Sequence, residues 1–161
     1  YKSDSDLPDF LDYSMDNRTY RYFKGQALYP FGYGLSFTAF KYGNLILPKT
    51  LAKGMPLEVE VSVTNSGKLA GEEVVQLYVS HQKINGKAPI RALKGFLRIS
   101  LKPGETQVVK MQLSVEDLSI ISENGEEVQP VGEMVISVGG GQPGMKNKTT
   151  SKVISKKMRV I

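Results

Sequence analysis

The chain has 161 residues, 40% hydrophobic and 23% charged, the proportions of a globular protein with one domain and an extension. It has no cysteine and a single histidine, which excludes a disulfide framework, a thiolate metal site and a paired-imidazole metal site, and no apolar run approaches the roughly 18 residues of a membrane span. The net charge of +5 is unevenly placed: Asp4, Asp6, Asp9, Asp12 and Asp16 against Lys2 give residues 1–17 a charge of −4, so the remainder carries +9.

Twelve of the fourteen aromatic residues lie in the first 42 positions, densest in the run from Tyr20 to Phe37. Gly25, Gly32 and Gly34 break this run and Pro30 stiffens it, which predicts an ordered irregular strap rather than a helix or a long strand. Seven of its rings, Tyr20, Tyr22, Phe23, Tyr29, Phe31, Tyr33 and Phe37, would together bury about 1,400 Å², against the roughly 300 to 600 Å² patch that a lone domain exposes. They are the candidate interdomain docking residues. Two competing readings are that the rings plug one end of the domain, or that tyrosine faces make a weak oligosaccharide contact. The chain opens at Tyr1 in mid-pattern, which suggests a piece of a longer polypeptide.

Beyond Phe37 the pattern has period two. A first stretch near residues 37–47 is followed by Leu57, Val59, Val61 and Val63 alternating with Glu58, Glu60, Ser62 and Thr64, a half-buried strand closed by Asn65-Ser66-Gly67. Val75, Leu77 and Val79 alternate with Val74, Gln76, Tyr78 and Ser80, and two apolar faces predict a central strand. Residues 93–101 and 108–113, joined by Lys102-Pro103-Gly104-Glu105, read as a hairpin. Ser114 and Asp117 form a capping box over a single turn. Asn124-Gly125 suits the two positive φ angles of a tight hairpin between Ile120-Ile121 and Glu127-Val128. Met134, Ile136 and Val138 make a further strand, and Val153-Ile154 or Arg159-Val160-Ile161 a last one. Seven or eight short strands without a long helix predict an all-β antiparallel β-sandwich, and the absent tryptophan and disulfide disfavour its antibody version.

No constellation of residues suits catalysis. His81 reads as a polar strand end. The adjacent acids Glu72-Glu73 and Glu126-Glu127 would point to opposite strand faces, cannot flank one bond, and read as solvating groups. The aspartates of residues 1–17 lack the order of a calcium loop. Gly139-Gly140-Gly141-Gln142-Pro143-Gly144 lacks the lysine and following helix of a phosphate cradle and reads as a mobile loop. The basic tail of Lys146, Lys148, Lys152, Lys156, Lys157 and Arg159 has no aromatic residue for base stacking, so it reads as a solvated edge and nucleic acid is not an expected partner. Asn17-Arg18-Thr19 and Asn147-Lys148-Thr149 match the glycosylation acceptor pattern. No cofactor, metal or membrane partner is expected.

The segment DLPDFLDYSMDNRTYRYFKGQALYPFGYGLSFTAFKY, from Asp6, resembles the junction leading into the C-terminal fibronectin type III-like domain of glycoside hydrolase family 3 enzymes, the β-glucosidases and β-xylosidases. Val63-Thr64-Asn65-Ser66-Gly67, Ala70 to Val79, Leu93-Lys94-Gly95-Phe96, Leu101 to Thr106 and Val138-Gly139-Gly140 are similar to that domain's strands and turns. The resemblance implies a junction over residues 1–30, a fibronectin type III-like sandwich over 31–161, and no catalytic residue here. In that family an Asp nucleophile and a Glu acid/base, both in upstream domains, perform a retaining displacement. What carries over is a scaffold role beside those catalytic domains, with a carbohydrate-binding module or a homodimerisation domain as the alternatives. Phe37 stands where the family more often has Tyr, and the compact Arg18-to-Tyr22 stretch is closer to the β-xylosidase side. Compartment and oligomeric state stay open, a periplasmic or secreted parent enzyme being favoured over a cytoplasmic one.

Overall fold

A computed structural model describes residues 1–82, 88–144 and 151–161. Ahead of the sheets lie a 3-10 turn at Asp4–Asp6 and one helical turn, α1, at Thr19–Tyr22. Among the described residues ten strands follow: β1 Phe40–Ile46, β2 Thr50–Leu51, β3 Leu57–Asn65, β4 Gly71–His81, β5 Ala92–Leu101, β6 Thr106–Leu113, β7 Ile120–Ile121, β8 Glu127–Val128, β9 Gly132–Gly139 and β10 Ile154–Val160. They form a three-stranded sheet, β1-β3-β6, a five-stranded sheet, β2-β10-β9-β4-β5, and the small β7-β8 ribbon. All strand pairings are antiparallel except the two-residue β2–β10 contact, and an isolated parallel bridge joins Phe40 to Ser151.

The alternation in β3 does what its sequence dictates: Leu57, Val59, Val61 and Val63 turn inward with almost no exposure, while Glu58, Glu60, Ser62 and Thr64 face out. Opposite them lie Val75, Leu77 and Val79 of β4, Met134, Ile136 and Val138 of β9, and Met158 and Val160 of β10, which complete the core. β4 is central, between β9 and β5, and its Tyr78 is fully buried on the other face. The two candidates for the last strand, Val153-Ile154 and Arg159-Val160-Ile161, are the ends of one: β10 extends from Ile154 to Val160, with Val153 and Ile161 just outside it.

Residues 93–113 are not a hairpin. β5 pairs with β4, and β6 pairs with β3 in the other sheet, so the turn at Lys102–Glu105 carries the chain across the sandwich. That turn closes on itself, with Glu105 N–H donating to Lys102 C=O (3.0 Å), Lys102 N–H donating to Glu105 Oε2 (2.7 Å), and Gly104 at φ 76°. Turn chemistry is thus satisfied without a ladder behind it. The buried faces of β5 (Ile99, Leu101) and β6 (Val109, Leu113) then meet across the core. The β7-β8 ribbon forms as expected, but Gly125 alone takes a positive φ (81°). Gly125 N–H donates to Ser122 C=O (3.0 Å) and Ser122 N–H to Glu126 C=O (2.8 Å), a longer loop with one left-handed glycine instead of a two-residue turn. The Ser114/Asp117 capping box is reciprocal, at 3.0 and 3.2 Å.

The glycine run is likewise packed, not a free loop: Gly139 and Gly141 are buried. A Cβ on Gly139 would sit 2.7 Å from Val153 Cα and 2.8 Å from Lys152 O, both backbone atoms of the segment that leads into β10. Gly139→Ala is therefore expected to cost about 2 kcal/mol through overpacking, measured as a lower urea midpoint at unchanged slope. An unchanged midpoint would show that this segment yields freely there.

A candidate docking surface on the aromatic strap

The strap is pinned by backbone groups and a few side chains. Arg18 gathers the leader around itself, donating to the carbonyls of Asp9 (3.0 Å), Ser14 (3.0 Å) and Asp12. Tyr1 donates its hydroxyl to Asn17 C=O (2.9 Å) and meets Phe23 edge-on at 4.8 Å. Asn17 of the first acceptor pattern has its own task, its Oδ1 accepting from Lys24 N–H (3.1 Å) at a positive φ of 57°. The second pattern, and Lys146 and Lys148 of the basic tail, lie outside the described residues; Lys152, Lys156, Lys157 and Arg159 are exposed.

Tyr20 is the central pin. Its ring stacks on Phe31 at 4.0 Å and 11°, meets Tyr78 edge-on at 6.4 Å, and its hydroxyl oxygen accepts from Leu93 N–H (3.2 Å). Its carbonyl accepts from Arg91 (3.2 Å), and the next carbonyl, of Arg21, accepts from Ile90 N–H (2.8 Å). Farther along, Gln76 of β4 donates to Gly32 C=O (3.2 Å), and Gln142 accepts from Phe31 N–H (3.1 Å). Gln76 is itself oriented by Tyr78, whose hydroxyl donates to Oε1 at 2.6 Å, so a fully buried ring of the central strand fixes the strap by one intermediate. Burial raises the Tyr78 pKa and lowers that of Arg91.

These anchors sort the seven candidate rings. Phe23 is buried, and Tyr20, Tyr22 and Tyr33 are half-buried against the domain. Phe31 keeps 44% of its surface exposed, Tyr29 70% and Phe37 98%. The outward surface also holds residues that the sequence reading did not single out: Phe10, Leu11, Tyr13, Leu28 and Leu35 are all largely exposed. Phe10, Leu11 and Tyr13 alternate with the acidic leader, and that pairing of exposed rings with aspartate was the available signal. Tyr29 and Tyr33 lie 5.4 Å apart at 55°, so they make no flat platform. A cavity of about 380 Å³ opens among Tyr1, Tyr20, Phe23, Tyr29 and Phe31.

Elsewhere, His81 ends β4, half-buried, and burial with Lys94 nearby lowers its pKa. It borders a cavity of about 270 Å³ that mixes Arg21 and Lys94 with Glu116 and Glu127. Glu126 and Glu127 are exposed, as solvating groups should be. Glu72 is exposed too and pairs with Arg98 at 2.7 Å. Glu73 departs from that reading: it points into the domain with 7% exposure, accepts from Ser151 Oγ at 2.6 Å, and burial raises its pKa. Strand alternation puts the two acids on opposite faces as expected, but the inner one has a polar niche that the sequence does not announce. Among the described residues no group of three or more His, Asp or Glu side chains stands ready for a metal ion, and no helix is long and apolar enough to cross a membrane.

Comparison with known proteins gives this geometry its context. The family model described as a fibronectin type III-like domain matches residues 73–142. A β-xylosidase of Formosa agariphila is 40% identical over 148 residues, covering 91% of this chain and 20% of that protein. A xylan 1,4-β-xylosidase of Xylanibacter ruminicola is 42% identical over 118 residues, covering 73% of this chain and 13% of the other. The solved structure of a Listeria innocua β-glucosidase in complex with glucose superposes with a TM-score of 0.74 at 32% identity, over 83% of this chain and 17% of that one. The chain thus spans a fifth or less of the length of each of these relatives.

Proposed function

The chain is a fibronectin type III-like domain of the glycoside hydrolase family 3 β-xylosidases and β-glucosidases, and from that premise we propose that it is a non-catalytic accessory domain which docks on the catalytic domains of such an enzyme and stabilises them. Residues 1–30 form the junction with those domains and residues 31–161 the sandwich. Hydrolysis of β-glucosides or β-xylosides belongs to the partner domains. One observation carries the reading: a strap held to the sandwich by six hydrogen bonds at Tyr20, Arg21, Gln26, Phe31 and Gly32 leaves Leu28 and Tyr29 exposed between its anchors, with Phe10, Leu11 and Tyr13 exposed before them and Leu35 and Phe37 after them. A flexible tail would bear such residues at little cost, but a pinned one holds them in water unless something covers them. Within the candidate set, Tyr29, Phe31 and Phe37 make the contact, whereas Tyr20, Tyr22, Phe23 and Tyr33 hold the strap in place. The tilt between Tyr29 and Tyr33 gives a sugar ring no coplanar surface, which ranks oligosaccharide contact below protein contact.

The test combines Phe10→Ser, Leu35→Ser and Phe37→Ser. The isolated chain should melt as before, because these side chains touch little of it. The intact polypeptide should lose several kcal/mol of interdomain stabilisation, at roughly 1.5–3 kcal/mol per large side chain re-exposed, and its glycosidase activity should be lost at lower temperature. Equal heat inactivation of variant and wild type would overturn the reading. Light scattering on the isolated chain separates it from self-association, and calorimetry with xylo-oligosaccharides from sugar binding.

A further inference from the structure

We infer that the cavity between the strap and the first residues of β4 is a socket for one basic side chain, lysine or arginine, carried by the surface on which the strap docks. The inference rests on the docking reading and adds to it the chemistry of the contact. β9 joins β4 only from Gln76 onward, where Gln76 pairs with Gly139, so among the described residues the start of β4 has no paired strand on that side. Gly32 to Ser36 of the strap run alongside and leave a cavity of about 320 Å³, some ten times the roughly 30 Å³ share of one liquid water. Glu73, Gln76 and Ser151 line it, each more than nine-tenths buried.

The donors and acceptors around this cavity are unevenly spent. The Gln76 amide is engaged on both atoms, by Gly32 and Tyr78. Glu73 Oε2 accepts from Ser151. From β1 Tyr42, a buried residue, turns its hydroxyl toward Glu73, and among the described residues that hydroxyl finds no hydrogen bond of ordinary geometry. Glu73 Oε1 lies where a Cβ on Gly140 would stand only 2.5 Å away, so glycine leaves the space for the carboxyl. The other charged groups near the start of β4, Glu72 and Arg98 of β5, neutralise each other on the outer face. No lysine or arginine among the described residues pairs with Glu73.

A buried carboxyl in this setting has two stable conditions. Alone, burial favours its protonated form and it holds its proton to higher pH than an exposed carboxyl; a cation beside it, with its lone pairs satisfied, favours the ionised form. The occupant is a side chain of a docked protein because the mouth is part of the docking surface: Leu35, 73% exposed, lines the cavity, and Phe37, 98% exposed, follows it. An apolar partner surface closing over both would remove water from the mouth and strengthen the pair. Entry of the cation drives the Glu73 proton to solvent, leaving a carboxylate bonded to Ser151 and within reach of the Tyr42 hydroxyl.

The test is a ¹³C-carboxyl titration of Glu73 in the isolated chain and in the intact polypeptide, with hydroxyl-radical labelling of Phe37 in both. The resonance is assigned by its loss in Glu73→Gln and, independently, by its displacement in Ser151→Ala, which removes a donor but keeps the carboxyl. The expected result is a midpoint above the ordinary carboxylate range in the isolated chain and a fall of at least one pH unit, tenfold in proton affinity, in the intact polypeptide. A midpoint equally high in both, with Phe37 protected in the intact form, overturns the socket and leaves docking standing. Equal labelling of Phe37 in both overturns docking and the socket together.

Discussion

Asn65→Ala is expected to lower the unfolding free energy by about 4 kcal/mol, because two or more buried partners lose their only side-chain bond and each unsatisfied group costs roughly 1–3 kcal/mol. Asn65 is the last residue of β3 and has no exposed surface. Its Oδ1 accepts from Thr38 Oγ1 (2.7 Å) and Gly67 N–H (3.0 Å), and its Nδ2 donates to Leu69 C=O (2.8 Å) and Leu101 C=O (3.0 Å). One amide therefore joins the end of the strap, the loop between the sheets and the end of β5, which lies in the opposite sheet. The measurement is a urea melt with the midpoint and slope compared. Asn65→Asp separates the two halves of the amide: it keeps the acceptors but sets a carboxylate against the Leu69 and Leu101 carbonyls. The native state of that variant favours the protonated form, so its stability falls as pH rises from the ordinary Asp range toward neutrality, the reverse of a salt-bridged acid. A loss below 1 kcal/mol in Asn65→Ala would mean that water replaces the amide and that the brace is dispensable.

The role of Asn65 shows where sequence reading stops. Asn-Ser-Gly is a turn in the sequence and a turn in the structure; the alternation of β3 carries its inward face one step past Val63 to the asparagine, yet nothing in the spelling says that the amide reaches across to β5. The same boundary separates other elements. Leu57 to Val63 were legible because alternation is a property of one strand, whereas the partner of β5 was not, because Lys102-Pro103-Gly104-Glu105 makes the same local turn in a hairpin and in a crossing between sheets. The glycines at 139–141 read as freedom because a missing side chain looks the same whether a loop moves or another backbone presses on it; the distance to Val153 decides, and that contact is non-local. Glu73 is the same case with a charge, since its niche comes from Tyr42, Gly140 and Ser151, distant in sequence. On the strap, composition marked the segment, but glycines and Pro30 destroy any period, so the inward position of Phe23 and the outward one of Phe37 had no pattern to declare them.

Tyr20→Ala is expected to cost about 2–3 kcal/mol and to free the strap from the sandwich while the sheets stay folded. A half-buried ring gives up less than the 3–5 kcal/mol of a core aromatic, and the stack on Phe31 and the edge contact with Tyr78 contribute part of it. Tyr20→Phe keeps both ring contacts and removes only the acceptor of Leu93 N–H, which sets its cost near 1 kcal/mol. The readouts are amide exchange at Leu93 and limited proteolysis of residues 24–36. The alanine variant should expose both sites, while the phenylalanine variant should speed exchange at Leu93 and leave the strap uncut. The contrast matters because Tyr20 itself contributes little outward surface: if the strap works as a fixed face, losing its pin should weaken interdomain stabilisation in the intact polypeptide as much as removing the exposed rings does. Should Tyr20→Ala leave both the cleavage pattern and the intact polypeptide unchanged, Gln76, Gln142 and the Arg21–Ile90 backbone bond hold the strap without it, and the stacked pair is packing alone.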